Sequence, residues 1–137
     1  MASSRLDSRA GAPRRRSDFR ARQRSQLGRR AEQLVAQYLR ERGFHLLGSN
    51  VRLGRLEIDL IARRSDLVVF CEVRSRTHDR LVAPAATIDR RKIARLRQAA
   101  AQWLKREHPG HVEIRLDAAA VVFDTPNGRI DYYESAY

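Results

Sequence analysis

Three polar residues in the middle of the chain, Asp59, Glu72 and Arg74, are spaced so that a β-hairpin would bring them together. Residues 56–62 alternate between apolar and polar types, as a half-buried strand does. Residues 67–74 are rich in β-branched and aromatic types, as a more fully buried strand is. If the polar turn between them closes a hairpin, Asp59 lies directly opposite Glu72 with Cβ atoms about 5 Å apart, and Arg74 lies on the same face.

Two carboxylates that face each other across neighbouring strands repel each other and so destabilise the sheet. For the same reason, the two carboxyl groups cannot both ionise freely. A divalent cation between them would remove the conflict, and Mg²⁺ is often held by one or two carboxylates together with waters and substrate phosphates. Asp59 and Glu72 therefore indicate a metal-dependent site for phosphodiester chemistry. The alternative is a solvated hairpin face on which Arg74 pairs with one of the acids, and the spacing alone leaves both interpretations open.

The first hairpin strand is expected to have two distinct faces, because its side chains alternate. Leu56, Ile58, Leu60 and Ala62 would share the apolar face. Glu57, Asp59 and Ile61 would share the other. The candidate aspartate would then lie on the face opposite to the main apolar one.

The spacing of apolar residues predicts the helices and strands that must position these candidate residues. Apolar residues at helical spacing predict a helix from near Leu27 to a stop at Gly43, with Glu32 at the edge of its apolar stripe. A longer helix is predicted after an N-cap at Thr87, ending before Pro109. Its inward stripe would be Ile93, Leu96, Ala99, Ala100, Trp103 and Leu104. Further strands are predicted at residues 44–47, 111–123 and 129–133, and a basic turn at residues 50–55.

This order of helix, strands, long helix and strands predicts an α/β fold with one mixed central β-sheet flanked by helices. Residues 27–137 are expected to form this single domain. Residues 1–26 are expected to be a basic, disordered arm, because they are too polar to bury a core of their own. Residues 1–30 hold ten arginines and two aspartates, a net charge of +8, which leaves +4 of the total +12 for the rest of the chain.

The composition of the chain indicates the class of its binding partner and its cellular compartment. A formal net charge of +12 indicates a polyanionic partner, in the first place nucleic acid. Tyr132, Tyr133 and Tyr137 could stack on bases or simply pack at the edge of the sheet. The single cysteine, Cys71, excludes an internal disulfide and a two-cysteine metal motif, which fits a reducing cytoplasm. No apolar run approaches the length of a membrane span, so no membrane partner is expected.

Several longer sequence motifs follow one another between residues 28 and 122. The segment G-R-R-A-E-Q-L-V-A-Q-Y-L contains Glu32, and G-R-L-E-I-D-L-I-A and V-V-F-C-E-V-R-S-R contain the acidic pair. Additional matching positions are Asn50, Arg52, Lys92 and Arg115-Leu116-Asp117. Together these motifs resemble the YraN-like family, which is assigned to the PD-(D/E)XK nuclease superfamily. The resemblance implies a restriction-endonuclease-like core similar to that of Holliday-junction resolvases.

The resemblance further implies a metal-dependent endonuclease that hydrolyses phosphodiester bonds in DNA, with branched or flapped DNA as candidate substrates. Mg²⁺ or Mn²⁺ would be the cofactor, with Asp59, Glu72 and Glu32 as implied ligands. These three acids and Arg74, at the position of the superfamily's catalytic lysine, are the implied catalytic group. The implied nucleic-acid-binding residues are Arg52, Arg76, Arg91, Lys92 and Arg95. DNA is favoured over RNA as the partner, and resolvase-like relatives suggest a homodimer.

Two departures from the family pattern bear on the chemistry. Arg74 is effectively always charged, so it can orient water or stabilise a charged transition state but cannot act as a general base. Leu56 stands where the family usually has glycine, with Gly54 two positions earlier. These departures support a second hypothesis, a catalytically weak or inactive nucleic-acid-binding protein on a nuclease-like fold. A third hypothesis is an RNA-associated protein that binds through its basic arm.

Overall fold

The computed structural model describes residues 16–77 and 90–137, with side chains described from residue 26 onward. The elements in chain order are α1 (Arg16–Glu41), β1 (His45–Leu53), β2 (Leu56–Arg64), β3 (Leu67–Arg76), α2 (Arg90–Glu107), β4 (Glu113–Val122) and β5 (Arg129–Tyr133). The predicted α/β class is therefore confirmed. The N-cap predicted at Thr87 and the first part of the arm lie outside the described residues. Neither described helix is long and apolar enough to cross a bilayer.

The strands form one mixed sheet in the order β1-β2-β3-β4-β5. β3 and β4 pair in parallel, and all other neighbouring strands pair antiparallel. The parallel pair requires a long connection, and α2 lies within it. β2 and β3 form the predicted hairpin around Ser65 and Asp66, with Ser65 in the left-handed region at φ 53°. This architecture is consistent with a restriction-endonuclease-like core.

Each helix covers one face of the sheet. On one face, α1 buries Val35 and Leu39 against a core that includes Leu60 of β2. On the other face, α2 buries Trp103, whose ring meets the edge of Phe70 at a centroid distance of 5.5 Å. The inward stripe predicted for the long helix is confirmed. Its buried members are Leu96, Ala99, Ala100 and Trp103, and Ile93 and Leu104 are half-buried.

Two predicted boundaries are wrong. α1 begins at Arg16 rather than near Leu27, so residues 16–26 belong to this helix. That segment is too polar to fold alone, but it contains four arginines and two glutamines, and these residue types readily extend a helix that is already anchored by packing downstream. β1 continues through Leu53, so the basic turn expected at residues 50–55 is reduced to Gly54 and the residue that follows it.

The predicted alternation of β2 is also wrong, because the sheet reverses its faces beside Asn50. Asn50 has a left-handed backbone with φ 49°, which asparagine tolerates better than most residues. The β1–β2 register places Asn50 and Asp59 between the pairs Ser49–Leu60 and Val51–Ile58. Leu60 packs in the α1 core, whereas Ile58 packs in the α2 core. Side chains two residues apart therefore lie on opposite faces at this kink.

Candidate functional site

β2 and β3 separate at the position of the candidate site. Their ladder runs along the hairpin as far as Leu60 opposite Cys71, and beyond this point β3 continues with β4 as its partner. Asp59 Oδ2 accepts a hydrogen bond of 2.8 Å from the backbone N–H of Val73. The carboxylate therefore serves as the acceptor that the departing strand would otherwise supply to this N–H.

The hairpin register predicted from the sequence is confirmed up to the pair next to Asp59 and Glu72. The direct pairing of these two residues across the ladder is wrong, because the ladder ends at Leu60 and Cys71. The two carboxylates nevertheless line a single pocket.

This cleft has a volume of about 230 Å³ and lies where the end of the hairpin meets the first turns of α2. Acidic side chains line it from the strands, and basic side chains line it from α2 and from the β1–β2 turn. Its lining residues are Arg55, Leu56, Glu57, Asp59, Glu72, Lys92, Arg95 and Leu96. Carboxylates that can hold a cation thus lie beside cations that can hold a phosphate.

Burial is the main cause that raises the pKa of Asp59 from its ordinary 3.8 to about 6. The hydrogen bond from Val73 lowers this pKa, since it stabilises the charged carboxylate. The negative charges of Glu32, Glu72 and Glu57 raise it again. A cation near Asp59 would favour the charged form and offset both the burial and the repulsion. The electrostatics of the cleft therefore suit a bound cation.

Both oxygens of Glu72 have partners. The hydroxyl of Tyr137 donates to Oε2 at 2.6 Å, and Nη2 of Arg74 lies 3.7 Å from Oε1. Arg74 therefore lies beside Glu72 with 22% of its side chain exposed, which is the ion pair that the alternative interpretation of the hairpin face predicts. Each carboxylate oxygen has more than one lone-pair direction, so these contacts leave Glu72 able to ligate an ion as well.

Glu32 lies in a neighbouring pocket on the α1 side of the sheet. This pocket, of about 280 Å³, is lined by Glu32, Asn50 and Leu60 among others. Asn50 Nδ2 donates to Glu32 Oε2 at 2.8 Å. Glu32 is near enough to Asp59 to raise its pKa, but it does not line the cleft with Asp59 and Glu72. Its role as a third ligand stays a prediction.

The predicted nucleic-acid-binding residues are only partly brought together. Lys92 and Arg95 line the cleft, and Arg91 is exposed beside them in the first turns of α2. Arg52 is exposed on β1, with Glu57 as its partner in the ladder. Arg76 is half-buried at the end of β3.

Of the three predicted metal ligands, Asp59 and Glu72 line the same cleft and supply two carboxylates. In residues 16–77 and 90–137, no three or more histidine, cysteine or acidic residues are grouped to hold a metal ion. Asp59 and Glu72 together supply hard oxygen donors, which fits Mg²⁺ or Mn²⁺, because such ions keep several waters and need few protein ligands. Neither residue type nor geometry suits a softer metal at this cleft, since Cys71 is fully buried in the α1-side core.

Sequence reasoning missed three contributors to these pockets. Arg55 lines the cleft, Asn50 binds Glu32, and Tyr137 binds Glu72. Arg55 and Asn50 lie in motifs that indicated their importance but not their contacts. Tyr137 is 65 residues from its partner in sequence, and no local pattern links the two.

Comparison with known proteins places the chain in a family. The model of the uncharacterised protein family UPF0102 matches residues 31–121. A UPF0102 protein of Anaeromyxobacter dehalogenans (strain 2CP-C) is 38% identical over 114 residues, which cover 83% of this chain and 85% of that relative. A UPF0102 protein of Rhodopirellula baltica is 40% identical over 118 residues, covering 82% of this chain and 71% of that relative.

A more distant relative gives the same result. A UPF0102 protein of Syntrophomonas wolfei is 32% identical over 112 residues, which cover 82% of this chain and 97% of that relative. The matched residues 31–121 include all four candidate catalytic residues, from Glu32 to Arg74. The chain therefore belongs to the UPF0102 family, the YraN family that its motifs resemble.

Proposed function

We propose that the chain is a metal-dependent endonuclease that hydrolyses phosphodiester bonds in DNA, with branched and flapped DNA as the first substrates to test. One observation carries the proposal. Asp59 and Glu72 line a single cleft together with Lys92 and Arg95, at the point where β2 and β3 separate. A cation held by the acids and a phosphate held by the bases would then be neighbours.

In this proposal Asp59 and Glu72 hold Mg²⁺ or Mn²⁺, which when bound polarises the phosphate and activates water. Glu32 contributes negative charge from the neighbouring pocket, since it acts on Asp59 electrostatically. Arg74 remains charged and stabilises the negative charge that develops on the phosphate, because a guanidinium cannot serve as a general base.

The binding partner in this proposal is nucleic acid, with DNA favoured over RNA. Lys92, Arg95 and Arg91 would contact the phosphate backbone beside the cleft, and Arg52 and Arg76 would contact it further away. A second copy of the chain would allow both strands of a branched substrate to be cut together, so a homodimer is part of the proposal. A cytoplasmic location fits the buried, free Cys71.

The second candidate is a nucleic-acid-binding protein on a nuclease-like fold that does not cut. Arg74 supports it, because this residue replaces a lysine that could lose its proton. The contacts of Arg74 and Tyr137 with Glu72 also support it, because they stabilise the carboxylate without a metal. This candidate predicts salt-sensitive binding that EDTA does not change.

The deciding experiment compares cleavage of labelled linear, flapped and four-way-junction DNA, and a matched RNA, in Mg²⁺, Mn²⁺ or EDTA. Wild type is compared with Asp59→Ala and with Asp66→Ala, a control in the exposed turn at the other end of the same hairpin. Metal-dependent cutting by wild type and Asp66→Ala, lost in Asp59→Ala, supports the nuclease. Equal cutting by all three proteins would refute the site, and binding without cutting would favour the second candidate.

A further inference from the structure

A tyrosine outside the segment matched by the family model reaches into the candidate site. The hydroxyl of Tyr137 donates to Glu72 Oε2 at 2.6 Å, which is short, as expected for a hydrogen bond to a charged carboxylate. The ring of Tyr137 packs against the core on the α2 side of the sheet. Tyr137 therefore contacts both the candidate ligand and the scaffold beneath it.

We propose that Tyr137 is a positioning residue that holds the Glu72 carboxylate in the cleft shared with Asp59. The inference rests on the proposed function, since it gives Tyr137 a role in ion binding by Glu72. Tyr137 itself touches neither the ion nor the substrate in this role.

Glu72 needs such a partner because of its place in the sheet. It is the first residue of β3 beyond the β2–β3 ladder, so no neighbour on β2 restrains it. A glutamate side chain also has more rotatable bonds than an aspartate, and fixing it costs side-chain entropy. Asp59 is held by the backbone N–H of Val73, and the corresponding restraint on Glu72 comes from Tyr137 and Arg74.

Tyr137 is in turn held by strand β4. The N–H of Ala136 donates to the carbonyl oxygen of Leu116 at 3.0 Å, and the N–H of Ser135 donates to Asp117 Oδ1 at 3.0 Å. These two bonds attach the segment after β5 to β4, immediately before Tyr137. The backbone immediately before Tyr137 is therefore fixed to the sheet on which Glu72 lies.

Asp117 makes this attachment rigid. It is fully buried and is paired with Arg115, whose Nε lies 2.9 Å from Oδ1. The hydroxyl of Tyr132 donates to Oδ2 of the same aspartate at 2.5 Å. A buried charge with this many partners keeps one geometry, because any rearrangement would leave it unpaired. The segment Arg115-Leu116-Asp117, a motif that the cleft chemistry leaves unexplained, thereby acquires a function as the anchor of Tyr137.

Groups that orient a metal ligand from outside commonly change metal affinity or activity by about 10–100-fold when they are removed. Tyr137→Phe keeps the ring and its packing and removes only the hydroxyl. We expect this variant to weaken Mn²⁺ binding by about tenfold while leaving metal-free thermal unfolding cooperative. It should raise the Mn²⁺ concentration needed for half-maximal cleavage more than it lowers the rate at saturating Mn²⁺.

The experiment measures the dissociation constant of Mn²⁺ for the full chain from the electron paramagnetic resonance signal of the free ion. Tyr133→Phe is the matched control, since Tyr133 is exposed on β5 and has 38% of its surface accessible. A second control repeats Tyr137→Phe in a Glu72→Ala background, where the loss of the hydroxyl should cause no further loss of affinity, because its acceptor is absent.

The outcomes separate the two proposals. Weaker binding in Tyr137→Phe, but not in Tyr133→Phe, supports the positioning role if it disappears in the Glu72→Ala background. Wild-type or tighter affinity in Tyr137→Phe overturns that role, and tighter affinity would mean that the phenol competes with the ion for Glu72. Absence of Mn²⁺ binding by wild type overturns the proposed function, and the positioning role with it.

Discussion

Replacing Asp59 by asparagine should stabilise the metal-free protein, although Asp59 is the central residue of the candidate site. Asparagine has nearly the same shape, and its carbonyl oxygen can still accept the hydrogen bond from Val73. What the substitution removes is a charge that burial and three neighbouring glutamates disfavour. The expected gain follows from the size of that electrostatic penalty.

The magnitude comes from the pKa of Asp59, which is raised from 3.8 to about 6. Each pKa unit corresponds to about 1.4 kcal/mol, so the charged form of Asp59 costs the native state up to about 3 kcal/mol. The stability gained by the substitution is smaller than this penalty, because the neutral amide of asparagine accepts a weaker hydrogen bond than a carboxylate does. We therefore expect Asp59→Asn to raise the free energy of unfolding by about 2 kcal/mol at about pH 8.

The sign of the pH dependence follows from proton binding. Between pH 3.8 and about 6 the native state holds a proton on Asp59 that the unfolded state has lost. The stability contributed by this proton is fully present below pH 3.8 and is lost as the pH rises through about 6. The advantage of Asp59→Asn should thus be close to zero at about pH 4, grow through the window, and level off above about pH 7.

The assay is urea denaturation in EDTA, followed by the fluorescence of Trp103, the only tryptophan. Trp103 is buried in the α2-side core, so its emission reports unfolding. The control is Asp66→Asn, an exposed aspartate in the hairpin turn, which should follow the wild-type curve at every pH. Excess Mn²⁺ should reverse the ranking, because wild type gains binding free energy that Asp59→Asn lacks.

Two results would refute this reasoning. Equal stability of wild type and Asp59→Asn at about pH 8 would mean that the carboxylate is not penalised by its surroundings. A gain of the same size at about pH 4 and about pH 8 would mean that the effect is one of packing or backbone propensity rather than charge.

Three further predictions concern the ion, the anchor and the basic side chains. Mn²⁺ affinity should fall by up to about tenfold per pH unit below about pH 6, because the ion competes with the proton on Asp59, and pH-independent titrations would contradict this. Asp117→Asn should lower the free energy of unfolding by about 3 kcal/mol in urea titrations, because Arg115 would lose its buried partner, and a change near zero would contradict the network. Lys92→Ala and Arg95→Ala should each weaken DNA binding and reduce the slope of log affinity against log salt by about one in anisotropy titrations, whereas an unchanged slope would remove that residue from the interface.

Local patterns in the sequence were sufficient for much of the fold. The period of two and the polar turn predicted the β2–β3 hairpin with its register, confirmed to the pair Leu60–Cys71. The helical period predicted the buried stripe of α2 around Trp103. These features depend on residues that are close in sequence, so composition and spacing carry the information.

The errors arose where a single backbone angle or a distant contact decided the outcome. The faces of β2 reverse between Leu60 and Ile58, beside the left-handed Asn50, and hydropathy contains no signal for this reversal. The early start of α1 at Arg16 shows that a polar segment becomes helical when it continues a packed helix. The β2–β3 ladder ends at Leu60, before it reaches Asp59. The sequence could not predict this end, because apolar and polar residues alternate without a break through residues 56–60.

The sequence by itself determined which residues could carry chemistry, because the motifs around Asp59 and Glu72 and the family they belong to are written in order along the chain. Only the tertiary structure decided where these residues lie and what surrounds them. It buries Asp59 enough to raise its pKa to about 6, brings Lys92 into the same cleft and directs Tyr137 onto Glu72. Desolvation and contacts between distant segments exist only after the chain has folded, which is why spacing alone could not reveal them.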